Sequence, residues 1–156
     1  MSLTTDDRGI IVACDQCGRK NRLPFGAREA NCGGCKAPLA APGQPIEISS
    51  GAAFDAMVQS SPLPIVVDFW APWCGPCRMV APELERVATS NRGHYYIVKV
   101  NTEALPELGD RFGIRSIPTM AVFNQGREVS RTAGARPAAD IEAFVQRALA
   151  NQSVTR

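Results

Sequence analysis

Apolar positions change their spacing near residue 41, and from Ile46 onward two periods alternate. Phe54, Met57 and Val58 share one face of a predicted helix. Ser61-Pro62-Leu63-Pro64 ends that helix. Ile65 to Ala71 is a nearly continuous apolar run, as in a strand buried on both faces. A helix is predicted from about Trp73 to Ser90, with Pro82 inside it as a kink. Tyr95 to Val100 reads as the next strand and Leu105 to Phe112 as a short helix. Thr119 to Phe123 and Glu128 to Ala133 form two strands joined by Asn124-Gln125-Gly126-Arg127, with Gly where positive φ is expected. The last helix starts near Pro137, and its Ile141, Phe144, Val145, Ala148 and Leu149 keep a one-face spacing.

Strands that alternate with helices and finish in an antiparallel hairpin predict an α/β fold, a central mixed sheet with helices on both faces. Residues 1–40 differ. They carry four Cys, several Gly and scattered Arg and Lys, with only Ile10, Ile11, Val12, Leu23, Phe25 and Leu39 as larger apolar material. That is too little for a core of their own. The expected organisation is a small Cys-rich module at 1–40, a Pro- and Gly-containing linker at 41–46, an α/β domain at 47–150 and a frayed tail at 151–156.

Composition narrows the class. A chain of 156 residues can bury one good core and carry a small appendage. The net charge of +2 is too small to make nucleic acid or an anionic membrane the main partner. Arg19, Lys20, Arg22 and Arg28 form a basic loop, but to residue 45 there are six Lys/Arg against four Asp/Glu, so a solvated face is expected. No apolar run approaches the ~20 residues of a membrane span. The first eight residues carry acids and lack the apolar core of a secretion signal. A cytoplasmic location is therefore expected, where six Cys serve as metal ligands or catalysts rather than staples.

Two kinds of Cys pair are present. Cys74-Gly75-Pro76-Cys77 follows the apolar strand and opens a helix. Unpaired N–H groups and the helix dipole favour a thiolate at Cys74, and Cys77 is close enough to close a disulfide with it. Pro76 sits in the first turn, where its missing N–H costs nothing. Asp68 lies in the apolar strand; it is either a desolvated carboxyl with a raised pKa or a strand-end acid facing water. Lys99, on an alternating strand, is either a surface residue or a tuner of the site. His94, the sole histidine, has no nucleophile to pair with and is expected to be exposed.

The other pairs are Cys14-Asp15-Gln16-Cys17 and Cys32-Gly33-Gly34-Cys35, fourteen residues apart. Two such knuckles suit one tetrahedral Zn²⁺ bound by four thiolates, although the gap is slightly below the usual ~15–20. Gly18, Gly33 and Gly34 suit the knuckle turns, and a segment poor in apolar residues gains most from a metal staple. The competing readings are two redox-active dithiols, or zinc when reduced and disulfides when oxidised.

Residues 46 to 150 resemble a thioredoxin. The motifs, in the family's order, are Asp68-Phe69-Trp70-Ala71, Trp73-Cys74-Gly75-Pro76-Cys77, Lys99-Val100-Asn101, Gly113-Ile114-Arg115-Ser116-Ile117-Pro118-Thr119, Gly126 and Gly134. With the Cys-rich module ahead, the whole chain resembles the zinc-containing thioredoxins of bacteria. The resemblance implies a thioredoxin fold preceded by a four-cysteine zinc ribbon. It makes Cys74 the nucleophile, Cys77 the resolving thiol and Asp68 a proton relay with Lys99 nearby. It implies a cis Ile117–Pro118 bond whose loop keeps metals off the dithiol, with backbone near Ile117 pairing an extended substrate. Trp73, Gly75, Pro76, Ile117, Pro118 and Gly134 would form the substrate-binding surface, and Trp70 is expected to pack in the core. Gly-Pro between the Cys resembles the reductases of the superfamily rather than its oxidases and isomerases. The expected activity is reduction of protein disulfides by dithiol exchange, with electrons from NADPH through a thioredoxin reductase. With no GxGxxG fingerprint, no bound flavin or nicotinamide is expected. A zinc-dependent binding or chaperone-like module, and a disulfide oxidase or isomerase, are the rival readings. A monomer is the default.

Overall fold

The apolar run after Pro64 forms the central strand of the fold, β5 (Ile65–Trp70), and every residue from Ile65 to Phe69 is buried. The computed structural model describes residues 2–154. The elements preceding β5 are β1 (Leu3–Thr5), β2 (Gly9–Ala13), β3 (Lys20–Pro24), β4 (Ile46–Glu47) and α1 (Gly51–Ser60). After β5 come α2 (Gly75–Ser90), β6 (Tyr96–Asn101), α3 (Pro106–Arg111), β7 (Thr119–Asn124), β8 (Arg127–Ala133) and α4 (Ala138–Val154). The strands form one sheet in the order β3-β2-β1-β4-β6-β5-β7-β8. β1 with β4, β4 with β6 and β6 with β5 run parallel; the remaining pairs are antiparallel.

Side-chain alternation along β5 divides the core between the two faces. Ile65, Val67 and Phe69 join Phe54, Met57, Val98 and Phe123 on one face. Val66 joins Val80, Leu84, Ile97, Met120 and Ile141 on the other. Phe112 stacks edge-on against Phe54 and Phe123 and closes the first layer. Local chemistry sets the boundaries. Ser50 caps α1 by accepting the Ala53 N–H at 3.0 Å. Gln125 and Gly126, both at positive φ, make the β7–β8 turn.

The strands β1 to β3 were not legible in the sequence. Their apolar residues nonetheless find a core, because Ile10, Val12, Leu23 and Phe25 are buried in the same layer as Ile46, Ile48 and Phe54. The sheet is thus continuous from the Cys-rich segment into the rest of the chain. α2 begins at Gly75, two residues later than the spacing predicts, since Cys74 is its cap. The helix continues through Pro82. α4 runs into the segment expected to fray, where Asn124 Nδ2 donates to Gln152 Oε1 at 2.7 Å and holds the last turn. Thr155 and Arg156 lie outside the described residues. Among the described residues no helix is long and apolar enough to cross a membrane.

Candidate active site and metal centre

β5 delivers the reactive pair to one end of the sheet. After Trp70 the chain turns at Ala71 and Pro72, and Cys74 becomes the N-cap of α2 with its Sγ accepting the Cys77 N–H at 3.1 Å. Cys74 and Cys77 are joined by a disulfide, with Cα atoms 5.2 Å apart. Each is only 4% exposed, so a reacting partner reaches little more than a sulfur edge. Gly75 and Pro76 face solvent beside it. The Ile117–Pro118 peptide is cis and brings the Ile117 carbonyl oxygen to 3.8 Å from Cys74 Sγ. Gly134, at φ 100°, donates its N–H to the Pro118 carbonyl at 2.8 Å. Trp73, 67% exposed, stands next to the pair, and a cleft of about 240 Å³ opens between it, Thr102, Pro106, Ile114 and Ile117. Met79 is the other large apolar side chain left exposed among the described residues.

Across β4, β6 and β5 runs a row of charged groups. Strand register sets Glu47 beside Lys99 and Lys99 beside Asp68. Asp68 is buried rather than facing water, and its Oδ1 has no hydrogen-bond partner. Burial pushes its carboxyl up to about 7; the Lys99 charge opposes this and the Glu47 charge adds to it. Burial likewise raises Glu47, against the Trp70 hydrogen bond and Lys99. Trp70 Nε1–H donates to Glu47 Oε2 at 3.2 Å, and Lys99 Nζ lies 4.5 Å from the indole centroid. Trp70 is half-buried and packs on Ala71, Cys74 and Cys77, so it links the charged row to the dithiol. Glu47 escaped the sequence reading. The available signal was an acid between Ile46 and Ile48 in a strand-like triplet. His94 is exposed.

The four remaining Cys converge. Their Sγ atoms all lie within 4.8 Å of one another, with Cys14 to Cys35 and Cys17 to Cys32 both 3.6 Å apart. Four thiolates at ~2.3 Å from a tetrahedral ion are separated by ~3.8 Å, so this donor set fits such a metal. The two knuckles repeat one hydrogen-bond pattern. Gln16 N–H reaches Cys14 Sγ and Gly18 N–H reaches the Cys14 carbonyl; Gly34 and Lys36 do the same for Cys32. The Cys35 N–H, then the Gly34 N–H and Asn21, hold the Cys32 thiol down to about 6 against its burial. Asn21 ties the knuckles together, accepting the Gly33 N–H at 2.9 Å and donating to the Arg19 carbonyl at 3.0 Å.

Comparison with known proteins decides the family, since the sequence model of thioredoxin matches residues 45–147. The chain belongs to the thioredoxin family. It is similar to thioredoxin C-3 of Corynebacterium nephridii, 39% identical over 145 residues, which span 92% of this chain and 98% of that protein. Thioredoxin of Synechocystis sp. is 43% identical over 100 residues, covering 64% of this chain and 94% of that protein. Among solved structures, the N21Q mutant thioredoxin from Halobacterium salinarum NRC-1 superposes with a TM-score of 0.63 at 24% identity. That match covers 69% of this chain and 92% of the other, and it shows the fold.

As a thioredoxin, the chain is a thiol–disulfide oxidoreductase that reduces protein disulfides. The arrangement suits that chemistry. The sulfur that a thiolate would occupy already accepts a helix N-terminal N–H, and the partner sulfur is held within bonding reach. Ahead of the dithiol domain, the four-cysteine group could hold a metal ion.

Proposed function

We propose that this thioredoxin reduces disulfides with Cys74 as nucleophile and Cys77 as resolving thiol. The observation that carries the reading is the Cys77 N–H donated to Cys74 Sγ at the start of α2, which favours negative charge on that sulfur. In the reduced protein the Cys74 thiolate attacks one sulfur of the substrate disulfide. The S–S bond breaks, a mixed disulfide forms, and the other substrate sulfur leaves as a thiolate that takes a proton from water. The Cys77 thiol then gives its proton to the Asp68 carboxylate. The resulting thiolate attacks Cys74 Sγ and expels the second substrate sulfur. Two electrons pass to the substrate, and the chain is left as the Cys74–Cys77 disulfide. A carboxyl near 7 is divided between its two forms at neutral pH, as a base that must also be recycled requires. Lys99, half-buried over Trp70, tunes this carboxyl.

Trp73, Gly75, Pro76, Ile117, Pro118 and Gly134 form the surface on which an extended substrate segment lies, with the backbone around Ile117 as its hydrogen-bonding edge. A thioredoxin reductase restores the dithiol, and the protein acts in the cytoplasm. Cys14, Cys17, Cys32 and Cys35 hold one structural Zn²⁺, and the chain is on this reading a zinc-containing thioredoxin. When bound, the ion supplies a four-point crosslink that residues 1–40 cannot obtain from apolar burial alone. Asn21 and the knuckle N–H groups orient its ligands.

Two measurements test this reading. In a thioredoxin-reductase-coupled assay of insulin disulfide reduction, Cys74→Ser is expected to lose activity by at least a thousandfold; a variant that keeps its rate removes Cys74 as nucleophile. On native reduced protein, one zinc per chain is expected, with only Cys74 and Cys77 reacting quickly with a thiol reagent. Six fast thiols and no zinc would make the N-terminal pairs redox centres.

A further inference from the structure

Glu47 is an acid in an otherwise apolar strand, and none of the steps above uses it. It is largely withdrawn from water, and a protein does not gain from burying a second carboxylate near Asp68 unless that carboxylate has partners. Its partners are specific. Oε2 accepts the Trp70 indole N–H at 3.2 Å. Register places Glu47 against one side of Lys99 and Asp68 against the other, on β4, β6 and β5. Lys99 Nζ in turn lies over the Trp70 ring, which packs on Cys74 and Cys77. Glu47 therefore reaches the dithiol through Trp70, directly by the indole hydrogen bond and indirectly through the Lys99 ammonium over the same ring.

We propose that Glu47 is a positioning residue of the dithiol site: its carboxylate anchors the Trp70 indole beside the Cys pair and competes with Asp68 for the Lys99 ammonium. The second half rests on Asp68 serving as the proton relay. On this face of the sheet, the apolar side chains clustered with Val66 of β5 include Val80 and Leu84 of α2, Tyr95, Met120 of β7 and Ile141 of α4. The charged groups that act on Asp68 are Lys99 and Glu47. With Lys99 shared between two carboxylates, Asp68 receives only part of its charge and keeps its proton to higher pH.

The test uses Glu47→Gln, which keeps an acceptor for the indole and removes the charge, and Glu47→Leu, which removes both. In the disulfide form, where the thiols do not titrate, the Asp68 carboxyl carbon is followed by NMR against pH. Glu47→Gln is expected to lower the Asp68 midpoint by about half a pH unit, with the Trp70 indole N–H resonance unmoved. Glu47→Leu is expected to lower the midpoint similarly and to shift that resonance. The rising limb of kcat/KM against pH for insulin reduction should move to lower pH by the same amount in Glu47→Gln. In an Asp68→Asn background, Glu47→Gln should leave the pH profile unchanged. A midpoint that does not move in Glu47→Gln overturns the competition for Lys99. An indole resonance that does not move in Glu47→Leu overturns the anchoring. If Asp68→Asn alone keeps the rate and profile of the natural protein, the relay reading fails instead, and the titration still decides what Glu47 does.

Discussion

At Asp68 a carboxyl group sits 1% exposed in the central strand with one oxygen lacking any hydrogen-bond partner. Such a group is costly to ionise, and the consequence is a stability that depends on pH. Its carboxyl is raised from 3.8 to about 7 in the fold, first by burial. The folded state therefore holds the proton more tightly than the unfolded chain. The stabilising contribution is complete below about pH 4 and is lost as the pH rises through 7. For the disulfide form, urea unfolding is expected to show about 2–3 kcal/mol less stability at pH 8 than at pH 5 from this group. Asp68→Asn should abolish that difference and be the more stable protein at pH 8, while slowing disulfide reduction. Equal pH dependence in the two proteins would show that the carboxyl titrates normally.

Among the elements, the two Cys knuckles offer an internal comparison. Each turns its chain through a residue four positions after its first Cys, with positive φ: Gly18 at 79° and Lys36 at 67°. Only glycine adopts that conformation without a Cβ penalty. Nothing lies within 4 Å of where a Gly18 Cβ would be, so Gly18→Ala tests backbone conformation alone. It is expected to cost about 1 kcal/mol, and the reciprocal Lys36→Gly to gain about 0.5–1 kcal/mol, both read by urea unfolding. The same sign for both would mean that the knuckles are not equivalent. In α2 the relevant element property is its start: the cap residue is also one half of the disulfide, Cys74. A dithiol and a helix start were therefore both signalled by one motif, although the spacing put the start two residues early.

Across the whole molecule, the sheet joins the Cys-rich segment to the dithiol domain. β1 pairs with β4 in parallel, and Leu23 and Phe25 are buried in the layer that also holds Phe54 and Phe69. Phe25→Ala is expected to cost about 3–5 kcal/mol. It should shift one urea transition, seen alike by far-UV circular dichroism and by Trp fluorescence. Two separated transitions would show that residues 1–40 unfold by themselves.

What was legible follows from the range of the forces involved. The helix face of Ile141, Phe144 and Val145, the buried strand at Ile65 to Phe69 and the hairpin turn at Gln125 and Gly126 are set by neighbours in sequence, so their periodicity announces them. The CxxC motif declares a dithiol because spacing and helix capping are local. The short strands β1 to β3 carry no such period. Their apolar residues, Ile10, Val12, Leu23 and Phe25, become a core only when β4 and α1 supply the other half.

By itself, then, the sequence determined the dithiol, the group of four N-terminal cysteines and the α/β order of elements, because each depends on residues a few positions apart. Only the tertiary structure decided that Asp68 is dry, that Lys99 lies beside it with Glu47 on the far side of Lys99, and that Ile117 faces Cys74. Those facts depend on strand register and on chain segments tens of residues apart, which no local pattern encodes.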